Sequence, residues 1–152
     1  KRYTVLDTSG DALVDSLEAG PNLIKPNIYE LSALVNKPLS EIEDVYRAAV
    51  SLINLETKLV VVSMGANGAL VVEKDQAFIA RPPSIPVKST VGAGDAMVAG
   101  LVAGIGKKLS LHDCARLATA FSLSAVTRLG RDLPKPTVIE DFKKQVEIVP
   151  FK

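Results

Sequence analysis

The chain has 152 residues, 47% of them hydrophobic, which is a single-domain length with material for a core and excludes a disordered chain. Eighteen Lys and Arg against 17 Asp and Glu, 5% aromatics and no tryptophan give no argument for a basic nucleic-acid surface or a base-stacking platform. One cysteine, Cys114, and one histidine, His112, leave no internal disulfide and no multi-histidine metal site, and no apolar run approaches the ~20 residues of a membrane span; a reduced, cytoplasmic location fits.

The chain begins at Lys1 and enters a strand pattern at once, at 3–7; the front of a larger protein is expected to be missing. A turn at Thr8-Ser9-Gly10 follows. Leu13, Val14 and Leu17 then recur at helical spacing, and Gly20-Pro21 stops that helix. Leu23-Ile24 reads as a second short strand, and residues 28–35 as a helix with Asn27 as N-cap.

Ser40 with Glu43 three residues on predicts a capping box for the next helix. Its apolar stripe is Ile42, Val45, Tyr46, Ala49, Leu52 and Ile53. Residues 59–62, all apolar, read as a strand covered on both faces. Segments 69–73 and 77–80 flank Lys74-Asp75-Gln76 as a hairpin. Pro82, Pro83 and Pro86 make an extended connector. A long helix follows Gly92, another runs over 111–128, and a last one lies near 139–144 after Pro134 and Pro136. Strands alternating with helices predict an α/β layer fold, whose ligands bind beyond the carboxyl ends of the strands.

The stretch Ser89-Thr90-Val91-Gly92-Ala93-Gly94-Asp95 places two glycines and an acid at the start of an apolar helix. Glycines let backbone approach a ligand. The first helical N–H groups lack partners and, with the helix dipole, attract an anion. An acid there would compete with the anion unless it has its own task. A hydroxyl attacking phosphorus needs both features: a carboxylate to take its proton, and donors aimed at the charge on the phosphoryl group. The stretch therefore reads as a phosphoryl-transfer site, with Asp95 as base and Gly92, Ala93 and Gly94 as anion hole. The plain alternative is a tight turn with a first-turn acid. No Walker A loop is present, and Met97 stands where a dinucleotide fingerprint needs its third glycine.

Two further clusters bear on that choice. Ser63-Met64-Gly65-Ala66-Asn67-Gly68 ends the apolar strand, where a nucleotide phosphate can meet backbone donors, or where a glycine turn simply leads on. Asn27 and Glu30 stand three apart on one helix face. They can hold hydrated magnesium near phosphates, or can serve the helix start alone.

Three ordered motifs carry a resemblance: Lys25-Pro26-Asn27-Ile28-Tyr29-Glu30, then 63–68, then Thr90-Val91-Gly92-Ala93-Gly94-Asp95. Together they resemble the PfkB (ribokinase-like) family of carbohydrate kinases. The phosphosugar branch is matched further by Leu6-Asp7-Thr8-Ser9-Gly10, Pro82-Pro83-Ser84, the Asp95–Gly100 stretch and the ending Val149-Pro150-Phe151. The resemblance implies the carboxyl-terminal half of a three-layer α/β/α sandwich, with ATP and magnesium (Mg2+) as cofactors. Family members are roughly twice this length. Residues 1–152 thus correspond to the half holding the ATP site and the base, and most of the sugar pocket and a small β-sheet lid lie in the other half.

By resemblance Asp95 matches the catalytic base, Gly92, Ala93 and Gly94 the anion hole, and Asn27 and Glu30 the magnesium-linked pair. Ser63, Met64, Gly65, Ala66, Asn67 and Gly68 match an ATP-contacting loop, and Thr90 lies beside it. Lys25 approaches a phosphate, against the alternative of a solvated strand-end charge. Thr119 and Ser122 lie beside adenine, against ordinary helix packing. The implied reaction converts fructose 1-phosphate to fructose 1,6-bisphosphate in the whole protein, which can pair as a homodimer; the isolated half is expected to be inactive. Rival substrates are tagatose 6-phosphate and fructose 6-phosphate. Rivals of another class are a non-catalytic nucleotide-binding module and a purely structural α/β module.

The remaining features read as structural. His112 caps a helix start or lies on the surface, Cys114 is a small core residue, and Gly100 and Gly104 permit close helix packing. Tyr3, Tyr29 and Tyr46 read as partly buried packing, and Arg128, Arg131 and Asp132 as solvated charges.

Overall fold

The computed structural model describes residues 2–129 and 133–152; Arg131 and Asp132 lie outside them. Among the described residues the strands hydrogen-bond in chain order, each to the next, and the chain divides into two compact units.

The first unit comprises residues 1–65, 69–78 and 150–152. It holds β1 (Val5–Leu6), α1 (Asp11–Leu17), β2 (Leu23–Ile24), α2 (Ile28–Val35), α3 (Ile42–Ser51), β3 (Leu59–Ser63), β4 (Ala69–Val72) and the start of β5 (Ala77–Arg81). Strands β1, β2 and β3 run parallel, in the register Val5↔Leu23↔Leu59, while β4 pairs with β3 antiparallel. The unbroken apolar run of β3 is explained by its burial: Val60, Val61 and Val62 are at most 1% exposed. Leu31 of α2 and Val45, Ala48 and Ala49 of α3 complete the core.

Three details depart from the sequence reading. The cap of α3 is shifted by one residue, so that Glu41 is the N-cap and its N–H donates to Asp44 at 3.4 Å. Burial of Val45, Ala48 and Ala49 sets the helix phase, and Ser40 falls outside it. Tyr29 is 85% exposed, because Leu31 sets the buried face of α2 and Tyr29 stands on the other side, and Tyr3, which precedes β1, is also exposed. Of the three tyrosines, Tyr46 packs, with its ring 5.2 Å from that of Phe151. Phe151 is held by β5, where its N–H donates to the Ala77 carbonyl.

The second unit comprises residues 66–68 and 79–149. It holds the rest of β5, α4 (Ala93–Gly106), α5 (Leu111–Val126), α6 (Pro136–Gln145) and most of β6 (Glu147–Pro150). Helices α4 and α5 pack closely through glycine, as the sequence suggests: a Cβ at Gly104 would lie 2.8 Å from Cys114 Sγ. Leu117, Ala120 and Ile139 form a cluster joining α5 to α6. Helix α6 starts earlier than expected, because Pro136 occupies its first position, where a missing N–H costs nothing. The Arg128 guanidinium is not simply solvated, since its Nε donates to the Ser124 carbonyl at 2.9 Å. His112 is exposed near the start of α5.

Candidate functional site

The candidate residues fall into two clusters, one in each unit. In the first, parallel pairing makes β1, β2 and β3 end at a common edge. Lys25 follows β2, and its N–H donates to the Leu6 carbonyl at 3.2 Å. Asn27 forms a parallel bridge with Ser63, whose N–H donates to the Pro26 carbonyl at 3.0 Å. The sheet thus brings Lys25, Asn27, Glu30 and Ser63 to one place, with Met64 and Gly65 directly after. Met64 is buried, whereas Gly65 is exposed with open space where a side chain would stand.

Lys25 is not a solvated charge. It is 5% exposed, and its Nζ lies 3.2 Å from Asp7 Oδ1. Asp7 follows β1 as Lys25 follows β2, and the register Leu6↔Ile24 sets them side by side. Sequence reading missed this partner; the signal was an acid and a base each one residue beyond neighbouring strands.

Asn27 and Glu30 form a complete capping box. The Glu30 N–H donates to Asn27 Oδ1 at 2.9 Å, and the Asn27 N–H donates to Glu30 Oε2 at 2.8 Å. The helix-start role is therefore filled, which leaves Glu30 Oε1 outside the box. Among the described residues there is no group of three or more His, Cys, Asp or Glu able to cage a metal. One carboxylate beside an amide fits a magnesium ion that keeps most of its waters.

In the second unit, Thr90 and Gly92 turn the chain into α4. The Ala93 N–H donates to the Thr90 carbonyl at 3.3 Å. Gly92 has φ 78°, with nothing within 4 Å of a notional Cβ. That left-handed conformation is strained for other residues, and here it opens the helix end to solvent. Among the described residues the N–H groups of Gly94 and Asp95 have no backbone acceptor. They head a 14-residue helix, a ready anion site. Asp95 and Thr90 are exposed. An open helix end with free donors fits a nucleotide phosphate.

The loop residues Ala66, Asn67 and Gly68 differ among themselves. Ala66 and Asn67 are exposed in a 3-10 turn. Gly68 is buried at φ 89°, and a Cβ there would collide with the Ala80 carbonyl oxygen; its glycine is demanded by that positive φ and by the close approach of the β5 backbone. On α5, Thr119 is 3% exposed and its Oγ1 has no hydrogen-bond partner among the described residues, as is also true of Ser124 Oγ. Ser122 is half-buried. An orphaned hydroxyl in an apolar helix was not legible from spacing.

Residues 2–138 match the family described as pfkB family carbohydrate kinase. A 1-phosphofructokinase of Rhodobacter capsulatus is 47% identical over 143 residues, covering 94% of this chain and 45% of its own. The solved phosphofructokinase-2 of Escherichia coli, in complex with substrates and products, superimposes with TM-score 0.86 at 37% identity, covering 92% of this chain and 46% of its own. A ribokinase of Thermotoga maritima superimposes with TM-score 0.72 at 25% identity, over 82% of this chain and 42% of its own. The chain spans about half the length of the curated relatives it matches. Its fold is the ribokinase-like α/β fold.

Proposed function

The chain belongs to the pfkB family of carbohydrate kinases, and from that premise we propose that the whole protein transfers the γ-phosphoryl group of ATP to fructose 1-phosphate, giving fructose 1,6-bisphosphate. The observation that carries the phosphoryl-transfer reading is the open end of α4: N–H groups at Gly94 and Asp95 with no backbone acceptor among the described residues, beside a left-handed Gly92. The substrate choice is supported by the 47% identity to a protein named 1-phosphofructokinase.

In this reading Asp95 accepts the proton of the attacking sugar hydroxyl, since a carboxylate base makes the oxygen nucleophilic as the bond to phosphorus forms. Gly92 and Gly94, joined by the N–H of Asp95, present backbone donors to the charge on the phosphoryl oxygens; Ala93 drops out of the expected anion hole as a donor, because its N–H is given to the Thr90 carbonyl in the turn into α4. Lys25 gives a fixed positive charge to a phosphate. Asn27 and Glu30 would hold magnesium through its waters, and the ion supplies neutralisation of phosphate charge when bound. Ser63 to Gly68 and Thr90 line the nucleotide, with Thr119 and Ser122 toward its base. Such a protein can work as a homodimer in the cytoplasm.

A substrate panel on the whole protein with MgATP tests the reading. Fructose 1-phosphate is expected to give the highest kcat/KM. A second reading has its own support, the likeness to phosphofructokinase-2 at TM-score 0.86. Preference for fructose 6-phosphate would favour it. Turnover of none of fructose 1-phosphate, fructose 6-phosphate and tagatose 6-phosphate would leave a nucleotide-binding module.

A further inference from the structure

Lys25 is a costly place for a charge. Its side chain is 5% exposed, with its Nζ 3.2 Å from Asp7. A buried ion pair is a weak device for stability, because the lost hydration of both charges offsets most of their attraction. The sheet already fixes this backbone without the pair, through the Lys25 N–H on Leu6 and the Ser63 N–H on Pro26. What the pair adds is the place of the ammonium. Lysine ends a flexible four-carbon stem, so its charge is only as well placed as its partner makes it. An ammonium has three donors, and Asp7 is the one ion-pair partner recorded for it among the described residues. Asp7 is itself 28% exposed, so the pair stands at the boundary between core and solvent, at the carboxyl edge of β1 to β3.

We propose that Asp7 is a positioning residue for nucleotide binding: its carboxylate holds the Lys25 ammonium in place to donate to a phosphate of the bound nucleotide. The inference rests on the phosphoryl-transfer reading above. Asp7 acts through Lys25 and touches no reacting atom. Without its carboxylate the ammonium turns away, and nucleotide affinity falls. Proton removal by Asp95 and capture of the sugar are untouched.

The test uses the whole protein with Asp7→Asn, Asp7→Glu, Lys25→Met and the double variant Asp7→Asn/Lys25→Met. MgADP affinity is read by calorimetry, KM is read for MgATP and for the sugar phosphate, and Tm is read without ligand. Asp7→Asn and Lys25→Met are each expected to weaken MgADP about tenfold or more, the scale of one charged hydrogen bond. Glutamate should restore most of the loss, and the double variant should bind no worse than Lys25→Met. The inference is overturned by unchanged MgADP affinity in Asp7→Asn whatever its Tm, by a shift confined to the sugar KM, or by losses that multiply in the double variant. Should Asp7→Asn alone not fold, the double variant, which leaves no unbalanced ammonium, is read against Lys25→Met in the same way. A wild type that binds no MgADP overturns the phosphoryl-transfer reading itself; a wild type that binds it while Asp7→Asn is unaffected overturns only the role of Asp7.

Discussion

Gly100 of α4 lies directly against Ala118 of α5: a Cβ at position 100 would come within 2.5 Å of the Ala118 Cα and 2.9 Å of its nitrogen. Both atoms are backbone, so neither can rotate away. Replacing a helical glycine gains about 1 kcal/mol in propensity. Overpacking costs about 1–3 kcal/mol, more where the backbone must shift. The clash therefore wins. Gly100→Val in the whole protein is expected to lower stability by about 2 kcal/mol or more, read as a lower urea midpoint at unchanged slope. An unchanged midpoint would show that the two helices separate freely.

The start of α5 is held by a second short-range relationship. The Asp113 N–H donates to Ser110 Oγ at 3.1 Å, and the Ser110 hydroxyl donates back to Asp113 Oδ2 at 2.9 Å. That hydrogen bond is the main reason the Asp113 carboxyl is held below the ordinary carboxylate range; burial opposes it as the next effect, and Lys143 and Arg116 add smaller lowering ones. A carboxyl lowered on folding stabilises the protein above its unfolded pKa, and that contribution is lost as pH falls through the folded value. Ser110→Ala is expected to cost about 1 kcal/mol near neutrality, the usual worth of an N-cap. The gap from wild type should narrow in acid, as Asp113 protonates, and should not close, because the N–H to Oγ bond does not titrate. A gap constant down to strongly acidic pH would remove the carboxylate from the account.

The two capping boxes show where sequence reasoning holds and where it slips. Asn27 and Glu30 were readable because Lys25-Pro26 ends the strand and leaves one register for the helix. Ser40 and Glu43 fit the same pattern, yet the helix begins one residue later, since the buried stripe of α3 decides its phase. The apolar run 59–62 and the glycine contacts of α4 were legible because each answers to a local rule. Strand β6 was not, because its partner is β5, far earlier in the sequence. The Asp7–Lys25 pair was hidden for the same reason: it depends on the register of β1 against β2. The open start of α4 at 92–95 was legible in its glycines, whereas the orphaned Thr119 hydroxyl depends on what α5 packs against.

Asp95 and Gly94 are neighbours with separable duties in the proposed reaction. Gly94 contributes one backbone N–H donor in the first turn of α4, and Asp95 contributes a side chain that is exposed and free of the core. A phosphate bound by N–H groups needs no carboxylate beside it, whereas a hydroxyl nucleophile does. Asp95→Ala in the whole protein is therefore expected to lower kcat about 100-fold or more, the worth of a general base, with MgATP affinity kept or raised as a negative charge leaves the anion site. Gly94→Val sets a branched side chain among the donors at a position with helical backbone, and is expected to weaken MgATP binding by calorimetry while Tm changes little. The two substitutions should thus split binding from turnover. Full turnover in Asp95→Ala would remove the base assignment and return the stretch to a plain helix start. Undiminished MgATP affinity in Gly94→Val would move the phosphates away from α4, toward the strand ends that carry Lys25 and Ser63.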